Sequence, residues 1–147
     1  MKHLLIISSL AILLISCANT KNIFIKKEKK EKNICKKAEL GIYPSQSDKF
    51  DILDVKISGN IMTLKIGYAG GCKNHEFSII GSQMISKSLP PIRNIQLIHN
   101  SNDDSCESYV TQNLDIDISN LAYKKVNGSD IILKLNGWKE RIVYTYN

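Results

Sequence analysis

The sequence is poor in the signals that announce an enzyme. It contains no Gly-x-Ser-x-Gly elbow, and no cysteine or serine sits in a recognisable nucleophile context. Gly70-Gly71 is not followed by the lysine and hydroxyl residue of a phosphate loop, and its surroundings read as strand rather than as the start of a helix. There is no internal repeat, and no convincing amphipathic helix exceeds two turns. The longest apolar run, residues 4–15, would reach about 18 Å as a helix, against about 30 Å of bilayer hydrocarbon. Motif-bearing hydrolases, nucleotide folds, helical bundles and helical membrane spans are set aside on these grounds, and no cofactor is expected.

Positive charge is missing from the place where the overall balance suggests it. The chain carries a formal +6. Residues 18–37 hold eight lysines against two glutamates, whereas residues 38–147 hold eleven Lys and Arg against twelve Asp and Glu. The basic character therefore belongs to a leash and not to the remaining 110 residues. A basic domain face would suggest nucleic acid; here no nucleic-acid partner is expected. A lysine-rich leash suits an anionic envelope surface, at about 1 kcal/mol per lysine close to such a surface. It also reads as a solvated spacer.

The amino end supplies a reason for the leash. Lys2 and His3 form a short basic region, and an apolar run follows, relieved only by Ser8 and Ser9. It closes on Leu14-Ile15-Ser16-Cys17, an apolar pair, a small residue and a cysteine. This resembles the lipobox of bacterial lipoproteins. The resemblance covers residues 1 to about 20. It implies a signal peptide over residues 1–16, cleavage before Cys17 and a diacylglyceryl thioether on Cys17, with residues 17–37 as the lipidated, basic, flexible tether. Two or three acyl chains, at about 0.8 kcal/mol per buried methylene, hold a protein durably on a membrane. Ala18 is not the aspartate that retains such proteins in the inner membrane in the best-known sorting rule. The expected location is the cell envelope, at the outer membrane if the cell has one.

Residues 38–147 are long enough for one domain with one core. Leu53, Val55 and Ile57 alternate with polar residues, a turn follows at Ser58-Gly59-Asn60, and Met62, Leu64, Ile66 and Tyr68 alternate after it, which predicts a β-hairpin. Further alternation occurs at Phe77 and Ile79, at Ile95 and Leu97, and at Leu114, Ile116 and Ile118. It returns at Ile131, Leu133 and Leu135 and at Ile142, Tyr144 and Tyr146. Leu89-Pro90-Pro91 breaks the pattern, and Asn127-Gly128 and Asn136-Gly137 are turn signals. The expected fold class is all-β, a small antiparallel sandwich or barrel of about seven or eight strands.

Cysteines in an exported protein usually pair. With Cys17 lipidated, Cys35, Cys72 and Cys106 remain. Cys72 and Cys106 fall at predicted strand ends and form the expected disulfide. That pairing leaves Cys35 free or bridging molecules, and a bridge from Cys35 to either is the alternative. His75 shares strand parity with Phe77 and Ile79, and His99 shares it with Ile95 and Leu97, so both imidazoles are expected on the core side. Cys72, His75, His99 and Cys106 are then candidate ligands for zinc or Cu(I), although the His99-x6-Cys106 spacing matches no standard knuckle. Ordinary structural use of each histidine is the other reading. Asn100, Asn102 and Asp104 offer alternate oxygens to Ca²⁺, or simply form a solvated turn. Asp115 and Asp117 take the outward parity of a strand. Trp138 is a candidate binding anchor or a cover for the end of the sandwich.

The block Gly70-Gly71-Cys72-x-x-His75, with His99-Asn100 and Asp103-x-x-Cys106, resembles small uncharacterised β-rich envelope lipoproteins. The likeness covers about a third of the chain and implies no known reaction. Three functional classes follow from the residues. The first is a membrane-anchored, non-catalytic binding domain with an unknown protein or glycan partner, for instance an inhibitor of an envelope-directed hydrolase. The second is a metal or redox protein using Cys72, His75, His99 and Cys106. The third is an unrecognised hydrolase with His75 or His99 as base.

Overall fold

A computed structural model of the protein describes residues 36–147. The expected signal peptide, Cys17, Cys35 and the expected tether as far as residue 35 lie outside the described residues. Among the described residues nine strands occur, in chain order: β1 (Lys36–Lys37), β2 (Glu39–Gly41), β3 (Asp51–Ser58), β4 (Ile61–Gly70), β5 (Glu76–Ser82), β6 (Ile92–Asn100), β7 (Ser108–Asp117), β8 (Asp130–Leu135) and β9 (Ile142–Thr145). One 3-10 turn, Ser119–Leu121, precedes β8. No helix among the described residues is long and apolar enough to cross a membrane.

The strands form two sheets, ordered β1-β7-β4-β3 and β2-β5-β6-β8-β9. This is a β-sandwich and not a closed barrel. The β3–β4 hairpin forms as the alternation predicts. β4 then runs the whole length of β7, so that Met62 faces Ile116 and Leu64 faces Leu114. Met62, Leu64, Ile66 and Ile116 from this sheet meet Phe77, Ile79, Ile95, Leu97, Ile131, Leu133 and Tyr144 from the other, and all are buried. Period-two alternation gives each sheet one apolar face, and burying both faces against each other is what the sandwich does.

Three details depart from the sequence reading. Three pairings are parallel rather than antiparallel: β1 with β7, β2 with β5 and β6 with β8. Lys36 and Lys37, assigned above to the tether, pair with Ile116 and Asp117 at the edge of the first sheet. Backbone pairing needs no apolar side chain, and exposed lysines suit an edge that must not recruit another strand. In β3 the register shifts between Ile52 and Asp54, leaving Leu53 as an extra residue. The core-side residues are therefore Ile52, Val55 and Ile57, packed on the core, while Leu53 is 42% exposed.

Candidate functional site

The loops at one end of the sandwich converge on Asp104. The β4–β5 connection carries Cys72, Lys73 and His75, and the β6–β7 connection carries residues 101–107. A disulfide joins Cys72 to Cys106, with their Cα atoms 5.9 Å apart. Asp104 sits between the two loops. Its Oδ2 accepts the backbone N–H groups of Cys72 and Lys73, each at 2.9 Å, and its Oδ1 accepts that of Cys106 at 3.0 Å. His75 Nε2 lies 3.1 Å from the same Oδ2. The N–H groups of Cys106 and Lys73, foremost among these donors, hold the Asp104 carboxyl well below the usual carboxylate range. Lys73 adds its ammonium to the carbonyls of Asn102 and Asp103, at 2.9 and 2.8 Å. Asn102 and Asp103 take left-handed backbone angles, φ 54° and 55°, which turn the chain back towards Asp104.

From Asp104 the contacts run inward. His75 Nδ1 lies 2.8 Å from His99 Nε2, and His99 Nδ1 lies 3.1 Å from the carbonyl of Lys49. The two imidazoles stack at 5.0 Å, and Phe77, the register partner of His99 across β5 and β6, stacks on His99 at 4.3 Å. Tyr68 from β4 covers His75 at 4.4 Å, and Phe50 meets His99 edge-on at 6.0 Å. The side chains of His75 and Asp104 are 0% and 1% exposed, and His99 is 3% exposed. Burial lowers the His99 pKa, and the Lys49 carbonyl and the Asp48 carboxylate only partly oppose it. Burial, followed by the Asp104 charge, raises that of Tyr68.

This geometry places each candidate residue. Both histidines point to the core side, as their parity indicates. The sulfurs of Cys72 and Cys106 and the Asp104 carboxylate lie within 4.8 Å of one another. The sulfurs, however, are bonded to each other, and each ring nitrogen of His75 and His99 already faces a protein partner. The four candidate metal ligands thus act here as an internal tie. Neither imidazole can reach an external substrate without a change of conformation, which removes the geometric motive for either as a hydrolytic base. Asn100 and Asp104 spend their oxygens on the N–H groups of Asn102 and of the disulfide loops. Asp115 and Asp117 face outward, accepting the Thr63 hydroxyl and the Ser119 N–H.

Sequence reasoning missed two features. Arg93 is buried beneath the Ser119–Leu121 turn, with Nε on the Leu121 carbonyl at 2.9 Å and Nη1 on the Ser82 carbonyl. Its parity with Ile95, Leu97 and His99 on β6 was the available signal. The second is an open groove along β6. β8 ends where the Asn136 N–H meets the Ile95 carbonyl, and the Asn136-Gly137 turn then leads the chain away. Further along β6 the Asp48 N–H bonds the His99 carbonyl. Beside this part of β6 the surface is hollow. One hollow of about 390 Å³ is bounded by Asp48, Phe50, Gln96 and Asn136. A second of the same size is bounded by Tyr43, Asn94, Gln96, Lys134 and Trp138. They share Gln96, Asn136 and Gly137. Of this groove only Trp138 was singled out in the sequence as a candidate for binding; it is half-buried, packed on the core from one side and open to the groove on the other.

The family described as the NigD-like C-terminal beta sandwich domain matches residues 25–146. No curated protein matches the chain. Among solved structures, a NigD-like immunity protein from Bacteroides caccae superimposes with a TM-score of 0.56 at 15% identity, over 77% of this chain and 64% of that one. The chain thus spans somewhat less than two thirds of that protein. A protein of unknown function from Bacteroides vulgatus gives a TM-score of 0.48 at 13% identity, over 77% of this chain and 58% of that one.

Proposed function

The chain belongs to the NigD-like β-sandwich family, and from that premise we propose that it is a lipid-anchored, non-catalytic binding domain of the cell envelope whose partner is a polypeptide. The sealed polar constellation is the observation that carries this reading. The residues best suited to chemistry are spent on holding the fold, with the His75 side chain 0% exposed and His99 3% exposed. What the domain presents to solvent is shape, above all the β6 groove with Trp138 and Tyr43 on its wall. Tryptophan and tyrosine bordering a half-open hollow are the usual anchors of a protein interface.

The immunity protein that shares the sandwich suggests the kind of partner: a polypeptide that is neutralised by being bound. The anchor supports the same reading. Lipidation at Cys17 would fix the chain at the membrane, at the outer membrane where one is present. The basic leash would let the domain search a volume above an anionic surface.

The test is a photoreactive phenylalanine analogue in place of Trp138 in the full chain, irradiated in the envelope of the producing cell. One discrete polypeptide adduct is expected, absent when the same analogue replaces Lys56 on the opposite sheet. The absence of any adduct from position 138, or equal adducts from both positions, would contradict the groove assignment. An adduct only from position 89, where Leu89 stands 99% exposed in the β5–β6 loop, would move the interface there.

A further inference from the structure

The hydrogen bonds running from Asp104 to Lys49 can be counted, and the count does not close with neutral histidines. The run has four ring nitrogens and three contacts: Asp104 Oδ2 to His75 Nε2 at 3.1 Å, His75 Nδ1 to His99 Nε2 at 2.8 Å, and His99 Nδ1 to the Lys49 carbonyl at 3.1 Å. Each contact is a hydrogen bond only if one proton lies in it. Two neutral imidazoles carry one N–H each, two in all. The carbonyl of Lys49 can only accept. An ionised Asp104 can only accept, and its Oδ2 already takes the N–H groups of Cys72 and Lys73. Both ends of the run are therefore acceptors, and three protons are needed between them.

We propose that the folded domain holds one proton more than two neutral histidines can supply, in a buried binding site formed by His75 and His99 between the Asp104 carboxylate and the Lys49 carbonyl. The Lys49 carbonyl fixes a proton on His99 Nδ1. His99 Nε2 is then a lone pair and accepts from His75 Nδ1. His75 Nε2 donates to Asp104. Two of the three protons lie on His75, directly against the carboxylate, and His99 stays neutral, in keeping with the burial that disfavours its charged form.

The groups around the pair fit this assignment. From β4 the Tyr68 ring covers His75, with its hydroxyl turned away to Gln112 Oε1 at 3.4 Å. From the segment before β3, Asp48 spends its carboxylate on the Ser101 N–H at 2.6 Å, and Phe50 contributes only its ring edge. From the β4–β5 loop the Lys73 ammonium lies on the Asn102 and Asp103 carbonyls. Phe77 from β5 seals the inner face of His99. Among the described residues, Asp104 is therefore the one carboxylate in direct contact with the pair.

The consequence is a two-sided switch, independent of the proposed partner. Removing the extra proton leaves one of the three contacts without hydrogen. Adding a fourth sets N–H against N–H between the two rings. Either change breaks the tie between the disulfide loops and the segment at Lys49.

Nitrogen NMR of the full chain, labelled with ¹⁵N at histidine, tests this at pH 7, with a His3→Gln variant to remove the third histidine's signals. The expected result is three protonated ring nitrogens and one bare nitrogen, the bare one on His99. One protonated nitrogen on each ring, or two on both, would overturn the proposal.

Discussion

Gly67 and Gly70 lie three residues apart on β4, yet an added methyl group would be received differently at each. At Gly67 it would strike the hydroxyl end of Tyr109 at 2.0 Å. That ring lies on the solvent side and can swing away. At Gly70 it would meet His75 Cε1 and Nε2 at 2.5 Å and Asp104 Oδ2 at 3.1 Å, and these groups are held by hydrogen bonds on either side. Gly70→Ala should therefore cost about 1–3 kcal/mol and Gly67→Ala about 0.5 kcal/mol, measured by urea unfolding. The same cluster sets an acid limit. His99 in the folded domain titrates below its ordinary 6.5, and Asp104 below its ordinary 3.8. Both therefore bind protons more weakly folded than unfolded. Each contributes stability that is complete above its ordinary value and is lost as pH falls towards its folded value. The urea midpoint should fall as pH drops below about 6.5 and fall again below about 4. A midpoint that rose over the first interval would contradict the buried, neutral state of His99.

At the scale of elements, strands with strict alternation were legible and those without it were not. The β3–β4 hairpin, β8 and the inner halves of β6 and β7 follow from period two, because a sandwich strand buries one face. β1 and β2 are two and three residues long and carry almost no apolar pattern. Their backbones pair at sheet edges, where side chains decide little. The bulge at Leu53 was hidden because one extra residue inverts the parity of everything beyond it. The groove was hidden for another reason. Its far wall is the coil of residues 43–50, held by single bonds such as the Tyr43 hydroxyl on the Asn94 carbonyl, which no periodicity encodes. The cysteine pair was legible in outline from the strand ends, whereas the use made of the histidines was not, since the role of Asp104 depends on a loop fold. Closing the loop from Cys72 to Cys106 should stabilise the domain by about 3–4 kcal/mol in the chain-entropy model. A Cys72→Ala/Cys106→Ala variant should lose that much in urea unfolding. A loss below about 1 kcal/mol would mean that Asp104 and the histidines hold the loops without the disulfide.

For the whole molecule, a near-neutral domain that follows a strongly basic segment would separate two tasks. The leash and Cys17 would determine where the protein sits, and the sandwich would determine what it binds. Cys17→Ser should move the chain from the membrane fraction to the soluble fraction, as followed by fractionation and blotting, without altering the melting of the domain. A variant still wholly in the membrane fraction would contradict the anchor. The cysteine–histidine constellation ties the loops internally, and in the proposed function binding is left to the surface. The most direct test of this arrangement is the state of the thiols in the natively purified full chain, exposed to excess zinc, alkylated and mapped by peptide mass. The expected result is a peptide linked through Cys72 and Cys106 and no retained ion. Two alkylated thiols at these positions with zinc held by the folded chain would contradict it.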